Sequence, residues 1–110
     1  MATKQETFDL VVGGLLAQGR KSEKYERGMI RGPGGTKCSL GFLIPDERYD
    51  ERLDSGPCRP ALDLCEELGH DRGLARALMN VHDNSPPDAW GAALERVAVK
   101  FGLDYSPPAC

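Results

Sequence analysis

The stretch SPPDAWGAALERVAVKFGL, residues 85–103, limits what this chain can fold into more than any other. Trp90, Ala93, Leu94, Val97, Ala98 and Phe101 recur at the three-and-four spacing that puts them on one side of an α-helix. Such a stripe must be covered by another apolar surface, so the rest of the chain has to provide one. Ser85, Pro86 and Asp88 have the pattern of a capped helix start. Gly102 followed by Leu103 has that of a glycine-terminated stop with a trailing hydrophobic contact.

Three further segments carry matching stripes. In TKQETFDLVVGGLLAQG, Thr3 and Glu6 have capping-box spacing, and Phe8, Val11, Val12, Leu15 and Leu16 form the apolar face before Gly19. The pair Gly13–Gly14 costs about 1 kcal/mol per glycine relative to alanine, which predicts either a bend or the close approach of another element. PALDLCEELG turns Leu62, Cys65 and Leu68 to one side and stops at Gly69. GLARALMNVHD does the same with Leu74, Leu78 and Val81, with Ala77 between them. These segments predict a mainly α fold, a compact single-domain bundle of four to five helices over residues 1–103.

The intervening chain is less regular. Residues 20–37 are polar and then glycine-rich, with Tyr25, Met29 and Ile30 available for a short extended piece and GPGG for a turn, so an irregular or extended segment is predicted near 25–37. KCSLGFLI is apolar on all sides and must be buried; the reading is a short helix capped by Thr36 and ended at Pro45. PDERYDERLD reads as a helix or a pair of turns, with the exposed helix preferred: Tyr49 and Leu53 face inward, and Asp46, Glu47, Asp50, Glu51 and Asp54 make an acidic outer face. The tail over 104–110 is expected to be flexible.

At 110 residues one core can form without metal or disulfide staples. A net charge of −3 and a pI near 5.3 argue against phosphate-backbone binding, which needs a clustered surplus of lysine and arginine. Lys4, Glu6 and Asp9 interrupt any secretory core near the start, and no apolar run is long enough for a bilayer. Cys38, Cys58, Cys65 and Cys110 match neither a zinc knuckle nor a disulfide scaffold. Reduced thiols in the cytoplasm are therefore expected, with a Cys58–Cys65 bridge as the alternative.

Candidate chemistry is thin. Cys38, His82 and Asp83 supply the residue types of a nucleophile, its base and an orienting carboxylate, although a cysteine among apolar neighbours is ordinarily a small buried hydrophobe. His70, His82, Asp83, Asp46 and Glu47 could contribute to a metal site, but two histidines are too few for a metal phosphohydrolase pattern, so no metal is assigned. RGPGGTKCS has its glycines, lysine and serine in the wrong order for a phosphate loop, and no cofactor is implied. The two helices around GHDR could form a helix-turn-helix with Arg72, Arg76 and Asn80 as readers, against the acidic total. The charged segment offers Glu47, Arg48, Tyr49, Asp50, Glu51 and Arg52 as a partner surface, with Arg48, Tyr49 and Arg52 as anchors, or else it is simply a solvated face.

GPGGTKCSLGFLIPDERYD resembles a motif of small bacteriophage proteins and related bacterial reading frames. Those chains have an arginine-glycine turn and then a Cys-x-x-Gly-x-Leu-Ile-Pro-Asp-Glu cassette followed by tyrosine, matched here by Cys38, Gly41, Leu43, Ile44, Pro45, Asp46, Glu47 and Tyr49. Further on, the match takes in Leu78, His82, Asp83, Trp90, Phe101, Gly102 and Leu103, so the likeness runs from about residue 8 to 103. It departs at ERLDSGPCRP, where such chains often have a methionine and Glu-Gly. The resemblance implies a phage or prophage origin and transfers no catalytic role to any residue. It points to a small protein that binds and modulates, by inhibition, a bacterial host protein in the host cytoplasm, such as a defence or nucleic-acid-processing factor. A small cysteine- or His-Asp-dependent enzyme and a helix-turn-helix DNA binder are the alternatives.

Overall fold

Helix α1, Lys4–Gln18, begins with a complete capping box: the Glu6 N–H donates to Thr3 Oγ1 at 3.1 Å and the Thr3 N–H donates to Glu6 Oε1 at 2.8 Å. The computed structural model describes residues 3–24 and 27–105. After α1, strands β1 (Glu23–Lys24) and β2 (Arg27–Gly28) pair antiparallel, with Glu23 opposite Gly28 and Lys24 opposite Arg27. Of the segment expected to be irregular or extended near 25–37, this ladder takes in only Arg27–Gly28; Tyr25 itself lies outside the described residues. Helices α2 (Arg59–Glu67), α3 (Arg72–Asn84) and α4 (Trp90–Phe101) complete the regular structure. The radius of gyration, 12.8 Å, is that of a single packed domain of this length.

Helix α3 is the hub. It packs on α1, α2, α4 and the turn at residues 39–42. The predicted stripes are the core: Phe8, Val11, Leu15, Leu62, Cys65, Leu74, Leu78, Trp90 and Leu94 are all fully buried. On α3 the small inward residue is Ala75, not Ala77, which is half-buried. Trp90 stacks on His82, centroids 5.7 Å apart, and its indole N–H donates to the Ser85 carbonyl at 3.0 Å, so the largest core side chain is buried without an orphaned donor. At the far end of α4, Gly102 takes the left-handed conformation (φ 67°), its N–H and that of Leu103 closing on the carbonyls of Val99 and Ala98. Asp104 and Tyr105 belong to the fold: the Asp104 N–H donates to Gln5 Oε1 at 2.9 Å and Tyr105 meets Phe8 edge-on. The remainder of the predicted tail, residues 106–110, lies outside the described residues.

Three local expectations are corrected. KCSLGFLI forms a single 3-10 turn, Ser39–Phe42, in place of a helix, and Thr36 does not cap it but donates to the Pro33 carbonyl at 2.9 Å. The cause is Pro45, which disfavours helical geometry at Ile44 and leaves no room for a second turn. PDERYDERLD is the pair of turns and not the exposed helix: Asp46–Arg48 and Glu51–Asp54 are 3-10 turns separated by extended Tyr49 and Asp50. Asp50 caps the second turn by accepting from the Arg52 N–H, a local bond that competes with helix continuation. Ser85 and Pro86 do not open α4. Pro86 is extended because Pro87 follows it, a 3-10 turn spans Pro87–Ala89, and the α-helix starts at Trp90.

The glycine pair in α1 divides its roles. A Cβ on Gly14 would stand 2.4 Å from the Phe42 ring, so its absence lets the 39–42 turn lie against the helix, whereas a Cβ on Gly13 would meet nothing within 4 Å. Gly13→Ala should therefore raise stability by up to about 1 kcal/mol through helix propensity. Gly14→Ala should lower it by about 1–2 kcal/mol through overpacking. Urea unfolding of the two variants checks this: midpoints moving in the same direction would contradict the assignment.

Candidate functional site

The segment 45–54 is positioned by a clasp centred on Arg31. The main-chain N–H groups of Ile30 and Arg31 donate to the two oxygens of Asp54, at 2.7 and 3.2 Å. The Tyr49 hydroxyl donates to the same carboxylate at 2.6 Å. The Arg31 guanidinium lies 4.9 Å from the Tyr49 ring centroid and donates to the carbonyls of Gly41 and Ile44 and to Asp46 Oδ1. Its side chain is only 19% exposed. Gly41 makes room for this route, since a Cβ there would come within 2.6 Å of the Ile30 carbonyl oxygen and 3.4 Å of Arg31 Nη1. The motif residues Gly41, Ile44, Asp46 and Tyr49 are thus partners of one arginine.

Asp54, expected on the acidic outer face, is turned inward by these donors. Burial and the hydrogen bond to Asp54 push the Tyr49 phenol up to about 12. Tyr49 is half-buried.

The remaining partner-surface residues stay at the surface. Glu47, Arg48, Glu51 and Arg52 are exposed and Asp50 is half-buried. Arg52 chelates the Asp50 carboxylate, holding that carboxyl down at about 2, and Arg48 bonds Glu67 at the end of α2. Both arginines are therefore committed within the molecule, whereas Glu47 and Glu51 have no ion pair among the described residues. The Arg48–Glu67 contact also joins the segment to α2, whose Asp63, Glu66 and Glu67 are exposed. From residue 46 to 67 eight carboxylates stand against three arginines, a greater excess than that of the whole chain. The sequence reading missed this continuity with α2, which no local pattern signals.

The enzyme-like residues are placed differently. Cys38 is 5% exposed, and burial, with smaller contributions from Asp83 and Asp54, pushes its thiol up to about 12. That opposes thiolate formation. His82 is fully buried with both ring nitrogens engaged: the Ser22 N–H donates to Nε2 at 2.9 Å, so the ring proton sits on Nδ1 and donates to Asp83 Oδ1 at 2.7 Å. No ring nitrogen is left to take a proton from Cys38. The expected Cys58–Cys65 alternative is not formed; Cys58 is an exposed free thiol and Cys65 is a fully buried one.

The two His-Asp pairs do not converge. His70 and Asp71 stand at the start of α3, where Asp71 caps the helix, and His82 and Asp83 stand near its end, about 18 Å away along the axis. His70 Nδ1 is 2.7 Å from Thr7 Oγ1, and Asp46 is held by Arg31. No group of three metal-ligating side chains occurs among the described residues. Of the helix-turn-helix readers, Arg72 pairs with Asp63 and lies near Glu66, while Arg76 and Asn80 are exposed. Those carboxylates beside the start of α3 oppose an approaching phosphate. No helix among the described residues is long and apolar enough to cross a membrane.

Two measurements follow from this placement. Iodoacetamide at pH 7, read by peptide mapping, should alkylate Cys58 at the rate of a denatured control, and Cys38 and Cys65 on the order of a hundredfold more slowly. Equal rates at Cys38 would restore it as a nucleophile. Burial lowers the pKa of His70 below 6.5, so as the pH falls the unfolded chain takes the proton first. Stability should be full above about pH 6.5 and decline below it. The urea midpoint should drop between pH 7 and 5.5 in the wild type and drop less in His70→Gln.

Compared with protein-family models, curated proteins and solved structures, the chain gives no match.

Proposed function

We propose that this chain is a phage-type binding protein that modulates, by inhibiting it, a bacterial host protein, docking through the acidic face formed by residues 46–52 and the exposed side of α2. The observation that carries this reading is the pair of exposed carboxylates Glu47 and Glu51, which have no ion pair among the described residues, on a segment fastened from beneath by Arg31 and Asp54. A surface held in place before binding loses less conformational entropy on docking than a free loop does. Its charge selects a basic surface and speeds encounter with it. Nucleic-acid-processing proteins carry such surfaces, because they neutralise phosphates with lysine and arginine. The host cytoplasm is the corresponding site of action, and the resemblance of the 32–50 stretch to small phage proteins is what suggests the origin.

The motif itself has a different part in this reading. Cys38, Gly41, Ile44, Asp46 and Tyr49 build and brace the segment, while recognition falls to its outward carboxylates. Arg48 and Arg52, engaged with Glu67 and Asp50, set the shape of the face.

The test is affinity capture from bacterial lysate followed by titration with the purified partner. Glu47→Lys/Glu51→Lys should weaken binding by about tenfold to a hundredfold while the circular-dichroism spectrum is kept, and wild-type affinity should fall with added salt. Undiminished binding by the charge-reversed variant would refute the acidic face as the docking surface.

A further inference from the structure

Beside the acidic segment lies a pit of about 140 Å³. Gly56, Cys58 and Asp83 form its exposed rim, and Leu53 and Met79 its half-buried walls. Ile30, Cys38 and Leu40 form the buried floor. An engineered apolar cavity of roughly 150 Å³ takes up benzene, so this pit has room for a guest of five or six heavy atoms.

Its electrostatics are one-sided. Asp54 and Asp83 both border it, and among the described residues no lysine or arginine side chain does. Among the described residues Asp54 receives only neutral donors, the N–H groups of Ile30 and Arg31 and the Tyr49 hydroxyl. Asp83 gives Oδ1 to the His82 ring, and its Oδ2 accepts no hydrogen bond among the described residues. Lys21 meets Asp83 at the main-chain carbonyl, 3.3 Å away, and not at the carboxylate. Both carboxylates add to the upward shift of the Cys38 thiol on the floor, so their field reaches the bottom of the pit.

An anion is excluded by this field, and a neutral apolar guest would leave it unused. A primary ammonium on a short alkyl stem suits both the walls and the charge. We propose that the pit receives the end of a lysine side chain of the partner protein, the stem between Leu53 and Met79 and the ammonium at Asp83 Oδ2, facing Asp54. Arginine fits less well: with Oδ1 committed to His82, Asp83 cannot offer the two-oxygen fork that a guanidinium prefers. This inference rests on the docking reading above and places a lysine of the partner at the edge of the acidic face.

The probe is n-butylammonium chloride, titrated into the ¹⁵N-labelled chain, with 1-butanol as the uncharged comparison. Butylammonium should give saturable amide shifts confined to the neighbourhood of Leu53, Gly56, Met79 and Asp83, and butanol should bind at least tenfold more weakly. Asp83→Asn keeps an acceptor for His82 and should erase the difference. Equal binding of the two probes to the wild type, a comparison that needs no variant, or the absence of saturable shifts would overturn the pit as an ammonium site. Either result would leave docking through Glu47 and Glu51 standing, because neither residue lines the pit. A captured partner whose affinity is reduced by Glu47→Lys/Glu51→Lys but unchanged by Asp83→Asn would equally overturn the lysine assignment.

Discussion

The charged segment of this protein depends on one half-buried carboxylate. Asp54 takes the N–H groups of Ile30 and Arg31, two main-chain donors that the short β ladder leaves unpaired, together with the Tyr49 hydroxyl. One side chain thus satisfies three part-buried donors at once. With the main chain at Arg31 held there, its guanidinium reaches the carbonyls at the end of the 39–42 turn and the carboxylate of Asp46. The loop from Cys38 to Asp54 has no long helix or sheet of its own, and this network takes their place.

That arrangement divides the residues of a single short segment between core and surface. The apolar members, Leu40, Leu43 and Ile44, join the core formed with α1 and α3. Gly41 is small because Arg31 and the Ile30 carbonyl pass beside it. The charged members divide: Asp54 is turned to the main chain, Asp46 pairs with Arg31 from an exposed position, and Glu47 and Glu51 face outward without an ion pair among the described residues.

His82 shows the same principle in the core. A histidine beside an aspartate near a helix end suggests catalysis when read in one dimension, yet here the ring ties the Ser22 main chain to α3 and stacks on Trp90. Its hydrogen bonds specify one tautomer and fix how the loop after α1 returns to the bundle. The Asp83 carboxylate that orients the ring also borders the pit, so one residue serves packing inside and charge at the surface.

The four helices were legible in the sequence because their signals are local: stripes at helical spacing, the Thr3–Glu6 box, and the Gly19 and Gly102 stops are each complete within a few residues. The start of α4 was misread because Pro86–Pro87 satisfies the pattern of a capped start, while the second proline bars helical geometry at the first. The charged segment was misread for a different reason. Its spacing fits a helix through Tyr49 and Leu53, but Asp54 is drawn inward by donors 23 and 24 residues away, and such pairings leave no periodic trace. The union of residues 46–52 with α2 through Arg48 and Glu67, and the meeting of Asp54, Cys58 and Asp83 around one pit, also join distant parts of the chain. The sequence by itself determined which stretches are helical and which faces they bury, since hydrophobic period and capping act over a few residues. Only the tertiary structure decided which carboxylates are committed and which are free, because that depends on which donors the folded chain brings to each of them.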